Sequence, residues 1–345
     1  MPEPRDPVAD LRRIAFLLER AHEASYRVRA FRRVADTLAA AGADETAERA
    51  AAGTLEQLPG VGAVTAHCVL ESLAGEEPAY LLRLEETTAA PLAEGGEALR
   101  AALRGDCHTH SDWSDGGSSI EEMAVTARDL GREWIALTDH SPRLTVANGL
   151  SAERLEAQLA EVARLNAELA PFRILTGIEV DILDDGRLDQ TPEVLAQLDL
   201  VVASVHSGLR MPAADMTRRM VAAVANPHVD VLGHCTGRLV TGTRRRPESQ
   251  FDAELVFAAC ARFGVAVEVN SRPERLDPPK RLLSLAVEAG CLVSIDSDAH
   301  APGQLDWLPY GCERAAVCGV TAGSLVNARS AEAVTAWTRS HMGQT

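Results

Sequence analysis

GDCHTHSDWSDGG, residues 105–117, is where the chain changes rhythm. Two histidines stand one residue apart, so on a strand they share a face, and a Ser-Asp-Gly turn follows. Buried imidazoles lose solvation unless something satisfies both rings, and a divalent cation is the commonest partner that does. From this point short apolar runs alternate with helical stretches, the pattern of βα units around a parallel sheet. The candidate strands are 105–110, 133–139, 173–182, 198–206, 229–235, 265–271 and 292–298. Seven such units predict a closed or nearly closed (βα)n barrel rather than an open sheet.

In parallel barrels, chemistry gathers at the carboxyl ends of the strands. The first strand ends in His108 and His110, with Asp115 in the turn beyond. The second gives His140, the third Glu179, the fourth His206, the fifth His234, and the seventh Asp298 and His300. The sixth offers Glu268, Asn270 and Arg272 instead. Six of the ten histidines thus fall at the same end of successive strands, which coincidence explains poorly. Imidazole and carboxylate without thiolate suit Zn, Mn or Fe, and so many ligands exceed what one ion accepts. A multinuclear site bridged by Glu179 is expected. His22, His67, His228 and His341 lack such neighbours and are read as ordinary structural histidines, while Cys107 and Cys235 are read as packing.

Residues 8–87 have a different texture: four segments with apolar residues at helical spacing, and Leu58-Pro59-Gly60-Val61-Gly62 before the last. Glycines there permit a tight turn whose amides, with the start of the next helix, can face a phosphate. The backbone of Gly60, Val61 and Gly62 is therefore a candidate contact to DNA. Arg27, Arg29, Arg32 and Arg33 are the nearby cations, because the helix after the hairpin carries none. The expected organisation is a helical domain over 1–88, a linker over 89–104 and a catalytic domain over 105–345.

Composition narrows the function classes. A length of 345 residues suggests about two domains, and 46% apolar residues suffice for a sizeable core. No apolar run approaches the ~20 residues of a membrane span. The amino terminus lacks a signal-peptide pattern, so a cytoplasmic protein without a membrane partner is expected. Seven cysteines with no C-x-x-C pair read as reduced thiols. A net charge of −16 excludes a general basic surface, so any DNA contact must be local. Bound cations can still reverse the local field for an anionic substrate. Lys280 is the only lysine.

Taken together, GDCHTHSDWSDG, LTDHSPRLTVANGL, GIEVDIL, SVHS, LGHCTGRL, VEVNSRPERLDPP and SDAHAPGQLDWL resemble the polymerase and histidinol phosphatase (PHP) domain, over about residues 104–340. The likeness is to the version at the carboxyl end of bacterial family X DNA polymerases. It implies an α/β fold, a distorted (βα)7 TIM-like barrel, with a trinuclear centre of three divalent ions. Its ligand pattern maps onto His108, His110, Asp115, His140, Glu179, His206, His234, Asp298 and His300. YRVRAFRRVADTL and LEQLPGVGAVTAHCVLESL resemble the small all-α helix-hairpin-helix domain of about 8 kDa in the same polymerases. The fingers, palm and thumb, which would need about 200 further residues, have no counterpart, so no polymerase activity is expected. A lyase working through a lysine Schiff base is not expected either, since no lysine precedes Lys280.

The chemistry that follows is phosphate-ester hydrolysis, with a metal-bound hydroxide as nucleophile and Glu179 as the bridging carboxylate. Arg143, Arg210, Arg238 and Arg272 each follow a ligand-bearing strand and are candidates to clamp the phosphate. The first expectation is a 3′–5′ exonuclease or 3′-end-processing enzyme of DNA repair, with DNA as partner. The alternatives are a small-molecule phosphatase, such as one for histidinol phosphate, and a non-catalytic DNA- or protein-binding module.

Overall fold

The computed structural model describes residues 5–242 and 245–342, without the side chains of the last two. The chain divides into two compact units between Pro91 and Leu92. The first unit is helical: α1 (Pro7–Arg20), α2 (Ser25–Ala41), α3 (Ala43–Ala52), α4 (Ala63–Leu73) and α5 (Ala79–Thr88). Asp6 caps α1 by accepting from the amide of Val8, and Pro7 occupies the first turn, where its missing N–H is harmless. Leu11, Ile14, Leu18, Phe31, Val34, Leu38 and Val69 form its core. The apolar spacing of residues 8–73 marks α1, α2 and α4 but not α3, whose one buried side chain is Thr46. A helix that buries so little leaves no stripe to read.

The second unit opens with α6 (Glu97–Ala102), in the segment expected as a linker; its Leu99 packs with Val293 and Ile295. Then come β1 (Gly105–Thr109), α7 (Ile120–Asp129), β2 (Trp134–Leu137), α8 (Ala152–Glu168), β3 (Arg173–Asp181), α9 (Pro192–Leu195), β4 (Leu200–Ser204) and α10 (Ala213–Val224). The unit finishes with β5 (Val231–Leu232), α11 (Ala253–Phe263), β6 (Ala266–Asn270), α12 (Lys280–Glu288), β7 (Val293–Asp296), α13 (Leu308–Val317) and α14 (Ala331–Met342).

All seven strands are parallel and run in chain order. A bridge between Thr109 and Ala299 brings the two edges together, and the amide of His110 donates to the carbonyl of Ala299 at 2.8 Å. The result is the nearly closed barrel expected from the βα rhythm.

Alternation along β3 determines what fills it. Ile174, Ile178 and Val180 belong to clusters packed with the surrounding helices, whereas Leu175, Gly177, Glu179 and Asp181 share the other face. Leu175 joins Leu200, Val202, Val231, Ala266 and Trp337 in an apolar plug at the amino ends of the strands. Four residues on, the same face carries Glu179. Cys107 and Cys235 are buried in apolar clusters, and all seven cysteines are free thiols. Among the described residues no helix is long and apolar enough to cross a membrane.

Candidate metal centre

Glu179 is the hub of the carboxyl-terminal end of the barrel. Its Oε1 lies 2.9 Å from His234 Nε2 and 3.3 Å from His206 Nε2. Its Oε2 lies 2.9 Å from His140 Nδ1, 3.3 Å from His108 Nε2 and 3.7 Å from His110 Nε2. A second carboxylate, Asp298, places Oδ1 3.5 Å from His110 Nε2 and 3.6 Å from His300 Nδ1. A third, Asp115, faces His300 Nε2 at 3.3 Å and His140 Nε2 at 3.6 Å. All nine residues singled out at the strand ends therefore converge on one centre. His22, His67 and His228 lie elsewhere in the chain, and the side chain of His341 lies outside the described residues.

Asp298 reaches this position with φ of 51°, a left-handed conformation uncommon for a residue other than glycine. Such geometry costs about 1–3 kcal/mol and survives only where the surroundings impose it. Here Asn270 Nδ2 donates to its Oδ2 at 2.9 Å, and Arg275 Nε lies 3.3 Å from the same oxygen. The turn that carries Asp115 is held from behind by Asp139. Its two oxygens, fully buried, accept from the amide and hydroxyl of Ser111, the hydroxyl of Ser114 and Gln158 Nε2.

The charges do not balance among themselves. Burial would push Glu179 upward, but His108, His140 and His206 outweigh it and hold its pKa well below the usual range. Asp298 is held low in the same way, by Arg272 and His108 against its burial. Burial would lower His108, yet Glu179, Glu268 and Asp298 raise it well above an ordinary histidine. His206, opposed by burial, is lifted to about 9 by Glu179 and Asp181. His110 cannot follow: burial and the neighbouring His300 and His140 push it well down. Its ring centroid is 4.1 Å from that of His300 and 4.5 Å from that of His140. The carboxylates call for positive charge, and imidazoles this close cannot all supply it as protons.

Divalent cations fit this demand. His108 Nε2, both ring nitrogens of His110, His140 Nδ1, His234 Nδ1 and Glu179 Oε2 are buried without a hydrogen-bond partner. Native proteins rarely leave such groups unpaired unless an ion or water belongs there. Three overlapping sets bring their ligand atoms within 4.8 Å of one another: His108, His110 and Glu179; His140, Glu179 and His206; and His110, Asp115, His140 and His300. The donors are nitrogen and oxygen only, which suits borderline and harder ions such as Zn, Mn or Fe.

The arginines fall differently from the sequence reading. Arg143 and Arg210 are exposed and do not line the cavity over the centre, which measures about 430 Å³. Arg238 turns away from it, donating to the carbonyls of Arg275 and Leu276. Arg272 does reach the cavity, but its donors are taken: Glu274 holds Nε and Nη2, while Nη1 meets the Asp298 carbonyl at 3.0 Å and His300 Nδ1 at 2.9 Å. Arg275, not singled out from the sequence, lines the same cavity with only its Nε directed at Asp298. Residue type reveals a cation, but not which carbonyls a loop will offer it.

In the helical unit, Gly60 has φ of 81°, and a Cβ there would come within 2.7 Å of Arg33 Cδ. Thr37 Oγ1 donates to the carbonyl of Pro59, tying the hairpin to α2. The hairpin amides are less available than expected. That of Val61 donates to Leu58 O and that of Gly62 to Thr65 Oγ1, and the Val61 side chain is buried. Arg27 pairs with Glu23 and Tyr80, and Arg32 with Glu19, whereas Arg29 and Arg33 are exposed.

Fold and centre together define a parallel barrel with metal-ligating side chains gathered at one end, and comparison with known proteins gives its class. Residues 106–272 match the PHP domain family, and residues 4–77 match a helix-hairpin-helix domain family. The DNA polymerase/3′-5′ exonuclease PolX of Bacillus subtilis (strain 168) is 42% identical over 235 residues, which are 68% of this chain and 41% of that protein. The chain thus spans less than half the length of this relative. The "Probable phosphatase" of Thermoanaerobacter sp. (strain X514) is 31% identical over 206 residues, 56% of this chain and 78% of that protein. Among solved structures, the histidinol phosphate phosphatase of Lactococcus lactis subsp. lactis Il1403 is similar at a TM-score of 0.47 and 21% identity, covering 64% of this chain and 94% of that one. The chain belongs to the PHP-domain family of phosphoester hydrolases.

Proposed function

We propose that this chain hydrolyses phosphoesters at DNA ends in the cytoplasm, as a 3′–5′ exonuclease or 3′-end-processing enzyme, with three divalent cations. The observation that carries the hydrolytic reading is the set of partnerless imidazole nitrogens converging on Glu179. His108, His110 and Glu179 with Asp298 would hold one cation, and Glu179, His206 and His234 a second. Asp115, His140 and His300 would hold the third. When bound, such cations supply Lewis acidity toward phosphoryl oxygens and toward a water nucleophile.

The protein's own part is positioning. Glu179 spans the sets with both oxygens. Arg272 buttresses His300 and the backbone of Asp298, which keeps the rim in place. Arg275 has its Nη groups left to meet phosphoryl oxygens in the fork geometry that suits them. The helical unit would supply DNA affinity through the first-turn amides of α4 and the exposed Arg29 and Arg33 beside the hairpin. The exonuclease relative supports this reading, since it shares sequence with this chain and bears that activity in its name.

A second reading, a small-molecule phosphatase, is supported by the half-open cavity of about 430 Å³ over the centre, room for a compact phosphoester. Hydrolysis of a 3′-ended oligonucleotide and of histidinol phosphate by the intact chain separates the two. In the DNA reading, Arg33→Glu lowers oligonucleotide hydrolysis about tenfold or more and reduces its salt dependence by about one phosphate contact. It leaves a chromogenic small phosphoester unaffected. Preference for histidinol phosphate, or equal loss on both substrates, overturns the DNA reading.

A further inference from the structure

Behind two of the inner imidazoles stands a carboxylate that faces away from the hub. Glu268, fully buried on β6, places Oε1 2.6 Å from His108 Nδ1. Its other oxygen accepts from the amide of His234 and from Asn270 Nδ2. Asp181, two residues beyond Glu179 on β3, places Oδ1 2.6 Å from His206 Nδ1. Carboxylates at these distances accept, so the proton of each ring sits on Nδ1 and the lone pair of Nε2 points to Glu179. That arrangement fixes ring orientation and makes each imidazole a better ligand.

The outer set is built differently. His300 Nδ1 lies 2.9 Å from both the Asp298 carbonyl, which needs a proton there, and Arg272 Nη1, which needs a lone pair. Its tautomer is therefore not set. His140 faces Glu179 with one nitrogen and Asp115 with the other, and both carboxylates belong to the centre itself. The Asp115 side chain is 37% exposed and that of His300 20%, against 0% for His108, His110 and Glu179.

We propose that the centre is graded: Glu268 and Asp181 are positioning residues that make two inner cation positions tight, and the Asp115–His140–His300 position is the exchangeable one, filled and emptied as free divalent cation rises and falls. The inference rests on the reading that the centre binds cations, and the test separates the two.

The intact chain, stripped with chelator and checked by circular dichroism, is titrated with Mn²⁺ alone, following heat and bound metal. The expected result is two tight equivalents and a third weaker by ten- to a hundredfold. Asp181→Ala weakens one tight equivalent by about 10–100-fold, the usual scale for removing such a partner. Asp181→Asn, which keeps an acceptor without the charge, falls between, and Glu268→Gln repeats the effect at His108. Asp115→Ala removes the weak equivalent and leaves both tight ones. Three equivalents of one affinity, loss spread evenly in Asp181→Ala, or loss of a tight equivalent in Asp115→Ala overturns the grading while leaving the metal centre standing. A folded chain that takes up no Mn²⁺ overturns both.

Discussion

The two ends of the barrel are made by the same strands and have opposite characters. At the amino ends, Leu175, Leu200, Val202, Val231 and Ala266 meet Trp337 in an apolar plug. At the carboxyl ends, Glu179, Asp298 and six histidines crowd within a few ångströms, with ring nitrogens unpaired and Asp298 in a left-handed conformation. The first end is where burial of apolar surface stabilises the fold, at roughly 25 cal/mol per Å². The second is where that stability is drawn on to hold like-charged groups together and a backbone angle that the chain alone would not choose. The difference teaches that a site of this kind depends on the well-packed half of its own strands.

The comparison breaks most visibly at the hub. Glu179→Ala removes the one carboxylate shared by the inner sets, and phosphoester hydrolysis is expected to fall by at least ~1,000-fold, about 4 kcal/mol of transition-state stabilisation. Bound metal should fall with it, while far-ultraviolet circular dichroism stays that of the folded chain. Retained turnover with retained metal would mean that the hub is elsewhere. At the other end the effects should trade places. Leu175 is 1% exposed, and Leu175→Ala is expected to lower stability by about 2–5 kcal/mol in urea denaturation. Metal content and activity per folded molecule should not change.

Much of this contrast was legible in the sequence. The βα rhythm pointed to the barrel, and alternation, strand ends and the turn after β1 pointed to nine residues whose side chains meet at one end of it, because these signals depend on a period of two and on where apolar runs stop. Asp181 carried the same signal, two residues past Glu179 on the same face, and Glu268 stood at the end of the one strand without histidine. Asp139 was hidden, since its neighbour His140 points to the centre and alternation sends Asp139 the other way, into Ser111, Ser114 and Gln158. The arginines were legible only in part: of the four singled out, Arg272 alone reaches the cavity. Arg238 and Arg272 are committed to acceptors set by loop conformation, and Arg275 was left for the cavity by the same accident of loop shape.

Between the ends lies Gly177, on the inward face midway from Leu175 to Glu179, and it tests how far the two halves are mechanically joined. A Cβ at this position would lie 2.8 Å from the carbonyl oxygen of Leu200 and 2.9 Å from that of Leu137. Both are backbone atoms of neighbouring strands, so neither can swing aside as a flexible side chain would. Gly177→Ala must therefore spread β2, β3 and β4 by a few tenths of an ångström, at a cost of about 1–3 kcal/mol in stability. Because Glu179 follows two residues later on the same strand, the shift also moves the hub relative to His206 and His234. Metal affinity measured by titration is accordingly expected to drop several-fold, less than in any ligand substitution but more than in Leu175→Ala. Equal stability loss with unaltered metal affinity would show the opposite: that hydrogen bonds around Glu179, and not the strand beneath it, set the position of the hub.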